Sequence, residues 1–175
     1  MKWVKQNSEV LYPGKEGILD IAKSDIVYLI QMASENERQR ARYCAHGSSE
    51  DAIHEMFIYH RKRTYIRPHK HLGKAESFHL IEGAADIVFF DEEGNIKDML
   101  SLGPYESGKT FYYRIPESVY HTQIFHKDTV FHETTKGPFK KKDTVYADWS
   151  PDDKDELTGI KFLQDLINKT NNMAK

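Results

Sequence analysis

The sequence predicts a mainly β protein, a sandwich or barrel with one helix ahead of it and one behind. Three observations carry that expectation. Between about Ile53 and Trp149 several short runs of β-forming residues alternate with turns marked by Gly103-Pro104, Ile115-Pro116 and Gly137-Pro138. Aromatic residues reach 12%, with ten Tyr and nine Phe, so large flat side chains build much of the core. The two ends of the chain carry apolar residues at helical rather than strand spacing.

The first zone runs to about Gly47. Ser24 is the expected N-cap of a helix whose apolar stripe is Ile26, Val27, Leu29, Ile30 and Met32. The charged run from Glu35 to Arg42 reads as the solvated end of that helix and a loop. Its interleaved Glu35 and Glu37 count against a nucleic-acid contact. The second zone, 48–149, holds the barrel. Ile53–Tyr59, Ala85–Phe90, the segment from Ile96 onward, Thr110–Ile115, Tyr120–Phe125 and Thr129–Thr134 are its candidate strands. Asp91-Glu92-Glu93-Gly94-Asn95 joins the second and third of these as a hairpin. The third zone, 150–175, is a helix with Ser150 as expected N-cap, Pro151 at its first position and Asp152 and Asp153 in its first turn. Leu157, Ile160, Phe162, Leu163, Leu166 and Ile167 give its apolar face, and fraying is expected from Lys169 to Lys175. The three zones are expected to form one domain.

Composition narrows the function classes. A formal charge of −2 gives no electrostatic footprint for nucleic acid. A single cysteine, Cys44, allows no internal disulfide and no multi-cysteine zinc site. No apolar run has the length of a membrane span and no signal peptide is expected, so the expectation is a soluble cytoplasmic protein.

The chemistry concentrates in one constellation: His69-Lys70-His71, Glu76, Gly83 and, later, His121. Residues two apart on a strand share a face, so His69 and His71 point together and Lys70 points away. On the next strand Glu76, Phe78 and Leu80 share a face, and Ser77, His79 and Ile81 take the other. That parity selects Glu76 over His79. His121 follows Pro116-Glu117-Ser118 and opens a strand with Gln123 and Phe125 on its own face, which sets His126 apart. His69, His71, Glu76 and His121 are the expected ligands of one divalent transition metal ion: Zn, Fe, Mn, Ni or Co. His46, His54, His60, His79, His126 and His132 are expected to be core or surface residues. Arg67, Gln123 and Glu133 are the candidate catalytic groups: Arg67 for an anionic ligand, Gln123 as hydrogen-bond donor, Glu133 as general base. Tyr113 and Tyr120 are candidates for the mouth.

These residues resemble the two cupin motifs. His69, His71, Glu76 and Gly83 fit G-x5-H-x-H-x3-4-E-x6-G except at its first position, where Arg63 stands. Pro116 and His121 fit G-x5-P-x-G-x2-H-x3-N, with Thr110, Ser118 and Phe125 in place of its two glycines and its asparagine. Further segments, Ala41–Gly47, His54-Glu55-Met56, Arg67–His71 and His132–Phe139, resemble the WbuC-like cupin metalloproteins over most of Arg40–Trp149. The resemblance implies a double-stranded β-helix, or jelly roll, with flanking helices. It also implies a bound metal, a homodimer, and a link to surface-polysaccharide biosynthesis, hence a sugar or sugar-nucleotide-like ligand. Three functions stay open: metal-assisted isomerisation or proton transfer, a metal-dependent dioxygenase, and a non-catalytic binding or sensing module.

Overall fold

A computed structural model describes residues 2–15 and 17–173. In chain order the elements are β1 (Trp3–Lys5), β2 (Val10–Pro13), α1 (Lys23–Ser34), β3 (Arg40–Cys44), β4 (Ile53–His60), β5 (His69–His71), β6 (Glu76–Glu82) and β7 (Ala85–Phe90). Then follow β8 (Ile96–Leu102), β9 (Tyr112–Ile115), β10 (Tyr120–Phe125), β11 (Thr129–Lys136), β12 (Thr144–Tyr146) and α2 (Glu156–Met173). A seven-stranded sheet in the order β1-β2-β3-β4-β11-β6-β9 faces a five-stranded sheet in the order β12-β5-β10-β7-β8. This is the cupin jelly roll, mainly β with a helix on either side.

Apolar burial divides into three clusters, and each explains one layer. The inner core lies between the sheets and contains Met56, Ile58, Phe78, Leu80, Ile87, Phe125 and Phe131. Phe78 stacks on Phe131 with ring centroids 4.1 Å apart, a geometry that adds to its area burial. A second cluster binds α1 to the outer face of β3 and β4 through Leu29, Met32 and Ala33 against Ala41, Tyr43 and Tyr59. A third binds α2 to the outer face of the five-stranded sheet through Leu163 and Leu166 against Val88, Phe90, Tyr120 and Ile124. Both faces of β10 are therefore covered, and all six of its residues are buried.

Both helices begin elsewhere than the sequence suggests. Helix α1 is capped at Ala22 rather than at Ser24. The Asp25 carboxylate reaches back to accept the Ala22 N–H at 2.8 Å, and Lys2 and the Trp3 indole N–H, from the first strand region, also donate to it. Helix α2 starts at Glu156, not at Pro151. Ser150 Oγ instead donates to the Ala147 carbonyl at 2.8 Å, and Tyr65 Oη holds the Pro151 carbonyl at 2.9 Å, so this segment is used to fix the chain before the helix. Asp155 Oδ1 accepts the Thr158 N–H and serves as the cap. The helix continues to Met173 through the region expected to fray from Lys169. Residues 174 and 175 lie outside the described residues.

The charged run also resolves differently. Its last three residues open strand β3, paired in parallel with β2 and antiparallel with β4. The reason is alternation: Ala41 and Tyr43 are buried beneath α1, while Arg40 and Arg42 take the opposite face. Among the described residues no helix is long and apolar enough to cross a membrane.

Candidate metal centre

Three strands deliver the site. Strand β5 contributes His69 and His71 from one face, β6 begins with Glu76, and β10 carries His121 directly opposite His69 in the antiparallel register. The side-chain nitrogens of His69, His71 and His121 lie within 4.8 Å of one another. Glu76 Oε2 is 3.2 Å from His71 Nε2, and Oε1 is 3.6 Å from His121 Nε2. Alternation of burial along β6 puts Glu76, Phe78 and Leu80 inside, whereas His79 and Ile81 are exposed.

Each imidazole is held from behind. His69 Nδ1 meets the Arg67 carbonyl at 2.9 Å, and His121 Nδ1 meets the Val119 carbonyl at 3.0 Å. His71 Nδ1 meets Thr144 Oγ1 at 3.2 Å, because Thr144 sits directly opposite His71 in the β12–β5 pairing. When Nδ1 carries the proton toward a carbonyl, Nε2 presents a lone pair to the interior. His121 Nε2 and Glu76 Oε1 are buried without a hydrogen-bond partner. Buried polar atoms are almost always paired, and an unpaired one costs about 1–3 kcal/mol. Converging imidazole nitrogens and a carboxylate oxygen left unpaired satisfy the donor set of a mixed N/O metal site.

The electrostatics agree. Burial, and then the neighbouring His121 and His71, push the His69 imidazole down to about 3, so it is neutral and available as a ligand. Burial alone would raise the Glu76 carboxyl. The imidazoles of His121 and His71 more than offset this and hold it well below the usual carboxylate range. Burial pulls His121 down, and Glu76 lifts it above its ordinary value.

The other sequence candidates fall around this centre. Gln123 is buried two residues along β10 from His121, on the same face, and lines the cavity in front of the site. Glu133 lies on β11 opposite Met56 and Phe78 and lines the same cavity. Burial, then the Glu76 charge, drive its carboxyl well above the ordinary range. Arg67 also lines the cavity, but its guanidinium is engaged: it pairs with Asp152 at 3.1 Å, donates to the Ala147 carbonyl and Ser150 Oγ, and lies over the Tyr146 ring at 5.1 Å. Tyr113 belongs to the inner core, stacked against Phe78. Tyr120 packs on the outer face beside Trp149, with Lys70 Nζ 4.3 Å from its ring centre. Tyr146 is an aromatic of the cavity wall beside the imidazoles, and its place opposite His69 depends on a strand, β12, that the sequence did not announce.

The scaffold glycines are informative. Gly83 has φ +104°, and a Cβ there would sit 2.5 Å from the Asp128 carbonyl oxygen, so no other residue fits. Two positions where the cupin pattern has glycine carry other residues, yet Arg63 (φ 63°) and Ser118 (φ 65°) both adopt the left-handed conformation. The Ser118 N–H donates to the His71 carbonyl at 2.8 Å and ties that loop to the ligand strand.

One continuous cavity of about 640 Å³ runs from the imidazoles across the inner face of the seven-stranded sheet. Its far end is lined by Arg40, Arg42 and His60. Sequence reasoning missed this end, although the period of two in Arg40-Ala41-Arg42-Tyr43 was the signal that could have revealed it.

Comparison with known proteins supports the architecture. Residues 21–102 match a family described as a domain of unknown function, DUF6016. No curated protein matches the chain. Among solved structures, a salicylate 1,2-dioxygenase variant from Pseudoaminobacter salicylatoxidans in complex with gentisate aligns with a TM-score of 0.52 and 13% identity. The alignment covers 67% of this chain and 33% of that one. CapF with the inhibitor 3-isopropenyl-tropolone aligns at 0.49 and 16%, covering 61% and 30%, and Bacillus subtilis oxalate decarboxylase at 0.45 and 18%, covering 55% and 24%. The chain thus has the cupin fold and spans about a third of the length of the dioxygenase and CapF chains. At these identities the likeness is one of fold.

Proposed function

We propose that this cupin binds one divalent transition metal ion through His69, His71, Glu76 and His121, and acts there on a sugar or sugar-nucleotide-like small molecule by isomerisation or a related proton transfer. The observation that carries the metal reading is the convergence of three imidazoles, each anchored through Nδ1, on a buried carboxylate with an unpaired oxygen. The WbuC-like resemblance of Arg40–Trp149 supports the carbohydrate part.

A bound ion supplies Lewis acidity to a coordinated carbonyl or hydroxyl. The protein supplies the rest. Glu133 is a cavity carboxyl whose hold on a proton is strengthened by burial and then by the Glu76 charge, which suits it to exchange a proton with a ligand. Gln123 offers an amide beside the ligand histidine. Phe131 lines the cavity with Phe78 and Phe125 packed behind it, which gives that wall an apolar backing.

The test is elemental analysis of protein purified without added metal or chelator, set against Glu76→Ala and His121→Ala. About one ion per chain in the wild type, and loss in both variants, is expected. A metal-free wild type that also takes up none on titration overturns the reading.

A further inference from the structure

The cavity has a second polar end, far from the imidazoles and unused by the metal chemistry. Strand β3 sets Arg40 and Arg42 on the face that borders the cavity, and strand β4 does the same with His60 and Ile58. In the β3–β4 register Arg40 stands opposite His60, and Arg42 opposite Ile58. Directly opposed residues share a face with Cβ atoms about 5 Å apart, so these three polar heads crowd one corner.

Their partners differ. Arg40 Nε is held by Glu9 at 2.8 Å, and the neighbouring Arg38 by Glu9 and Asp153. Arg42 has no carboxylate within 4 Å among the described residues, although it lines the cavity and its head is solvent-accessible. His60 is 7% exposed, packs parallel to the rings of Phe125 and Phe131, and has a buried Nδ1 without a partner. A free guanidinium beside an unpartnered imidazole, in a cavity wall, is a donor set without an acceptor.

We propose that Arg42 and His60 form an anion subsite that takes the carboxylate or phosphoryl group of a ligand whose other end reaches the metal. The subsite deepens, and rests on, the reading of the cavity as a ligand site. Arg42 supplies the charge and a two-pronged donor suited to either oxyanion. His60 supplies a neutral N–H, because burial, and then Arg40, Arg42 and Arg38, hold its imidazole well below the ordinary value. Arg40, fixed by Glu9, adds to the positive potential of the corner. The span follows from sheet geometry: Glu76 pairs with Thr135, and Arg42 lies three strands and about four residues away. At about 4.8 Å per strand and 3.3 Å per residue, shortened by barrel curvature, the ligand is elongated, on the order of 15 Å.

Calorimetric titration of the full-length protein as purified, at low ionic strength, tests this with inorganic phosphate in one arm and succinate in the other. Saturable binding of at least one anion is expected, weakened roughly tenfold or more in Arg42→Gln. It should be retained within about twofold in His121→Ala, because the subsite lies at the opposite end of the cavity from the metal. His60→Asn is expected to weaken binding less, and its circular-dichroism spectrum checks that it has folded. Tighter phosphate assigns a phosphoryl group, and tighter succinate a carboxylate. Loss in His121→Ala with retention in Arg42→Gln places the anion on the metal and overturns the proposal, as does no saturable binding of either anion to the wild type. Because His121→Ala reads the two ends separately, failure of the metal centre leaves the anion result interpretable.

Discussion

Histidines occupy both ends of the cavity, and they are built in opposite ways. At one end, His69, His71 and His121 are each held through Nδ1 by a carbonyl or hydroxyl outside the site, so their Nε2 atoms converge. Toward the other end and the β3–β4 wall, rings are held by their faces. His60 lies parallel to the rings of Phe125 and Phe131, and His54 stacks on His46 with centroids 4.1 Å apart and planes 8° from parallel. His60 Nδ1 and His54 Nε2 are left without partners, while His46 Nδ1 meets the Glu55 carbonyl at 3.1 Å. Parallel stacking gives a ring area and position but spreads its nitrogens. Back-anchoring gives it a direction. Direction, not burial, separates a ligand-grade histidine from a packed one here, since His54 and His60 are as inaccessible as most of the metal-facing set.

The comparison breaks most visibly at His121. Replacing it by alanine is expected to lower metal affinity more than about 100-fold, because a ligand rather than its support is lost, as read by competition with a chromogenic chelator. The support comes next. Thr144→Val removes the hydroxyl behind His71 and is expected to cost about 10- to 100-fold in the same assay. His60→Phe is the opposite case. It fills the same stack and deletes a buried nitrogen that has no partner, so metal content should not change and stability should move by less than about 1 kcal/mol in urea denaturation. A loss of several kcal/mol would mean that the imidazole bonds to something essential.

The outward surface next to β10 sharpens the contrast again. His126, just past the strand, bonds Asp86 at 2.7 Å, and Ser101 Oγ also donates to that carboxylate. Burial pushes the Asp86 carboxyl up, but these two bonds bring it below its ordinary value. A carboxyl lowered in the folded state adds stability above its unfolded pKa of about 3.9, and that stability is lost as pH falls through the lower folded value. Melting temperature should therefore drop on acidification below about pH 4, less steeply in Asp86→Asn. The smallest effect is expected at Ser118. Its left-handed backbone favours glycine, so Ser118→Gly should stabilise by up to about 1 kcal/mol without changing metal content.

Strand parity made much of this legible from the sequence. Alternation along Glu76–Glu82 and Tyr120–Phe125 separates the inward Glu76, His121 and Gln123 from His79 and Thr122, because a pleated strand leaves only two faces. Contacts made by distant segments were not legible. Lys2 and Trp3 move the start of α1 by holding Asp25, and Tyr65 and Arg67 claim the stretch before α2. Arg67 shows the same limit: its parity with His69 says nothing of Asp152, which lies 85 residues further along the chain. Arg40 and Arg42 were hidden for another reason. Charge masked a period of two that apolar residues would have displayed.

X-ray absorption spectroscopy of the zinc-loaded protein tests the central claim most directly. The geometry predicts three imidazole nitrogens at about 2.0–2.1 Å with oxygen completing the shell. A shell with sulfur, or with one imidazole or none, would contradict it.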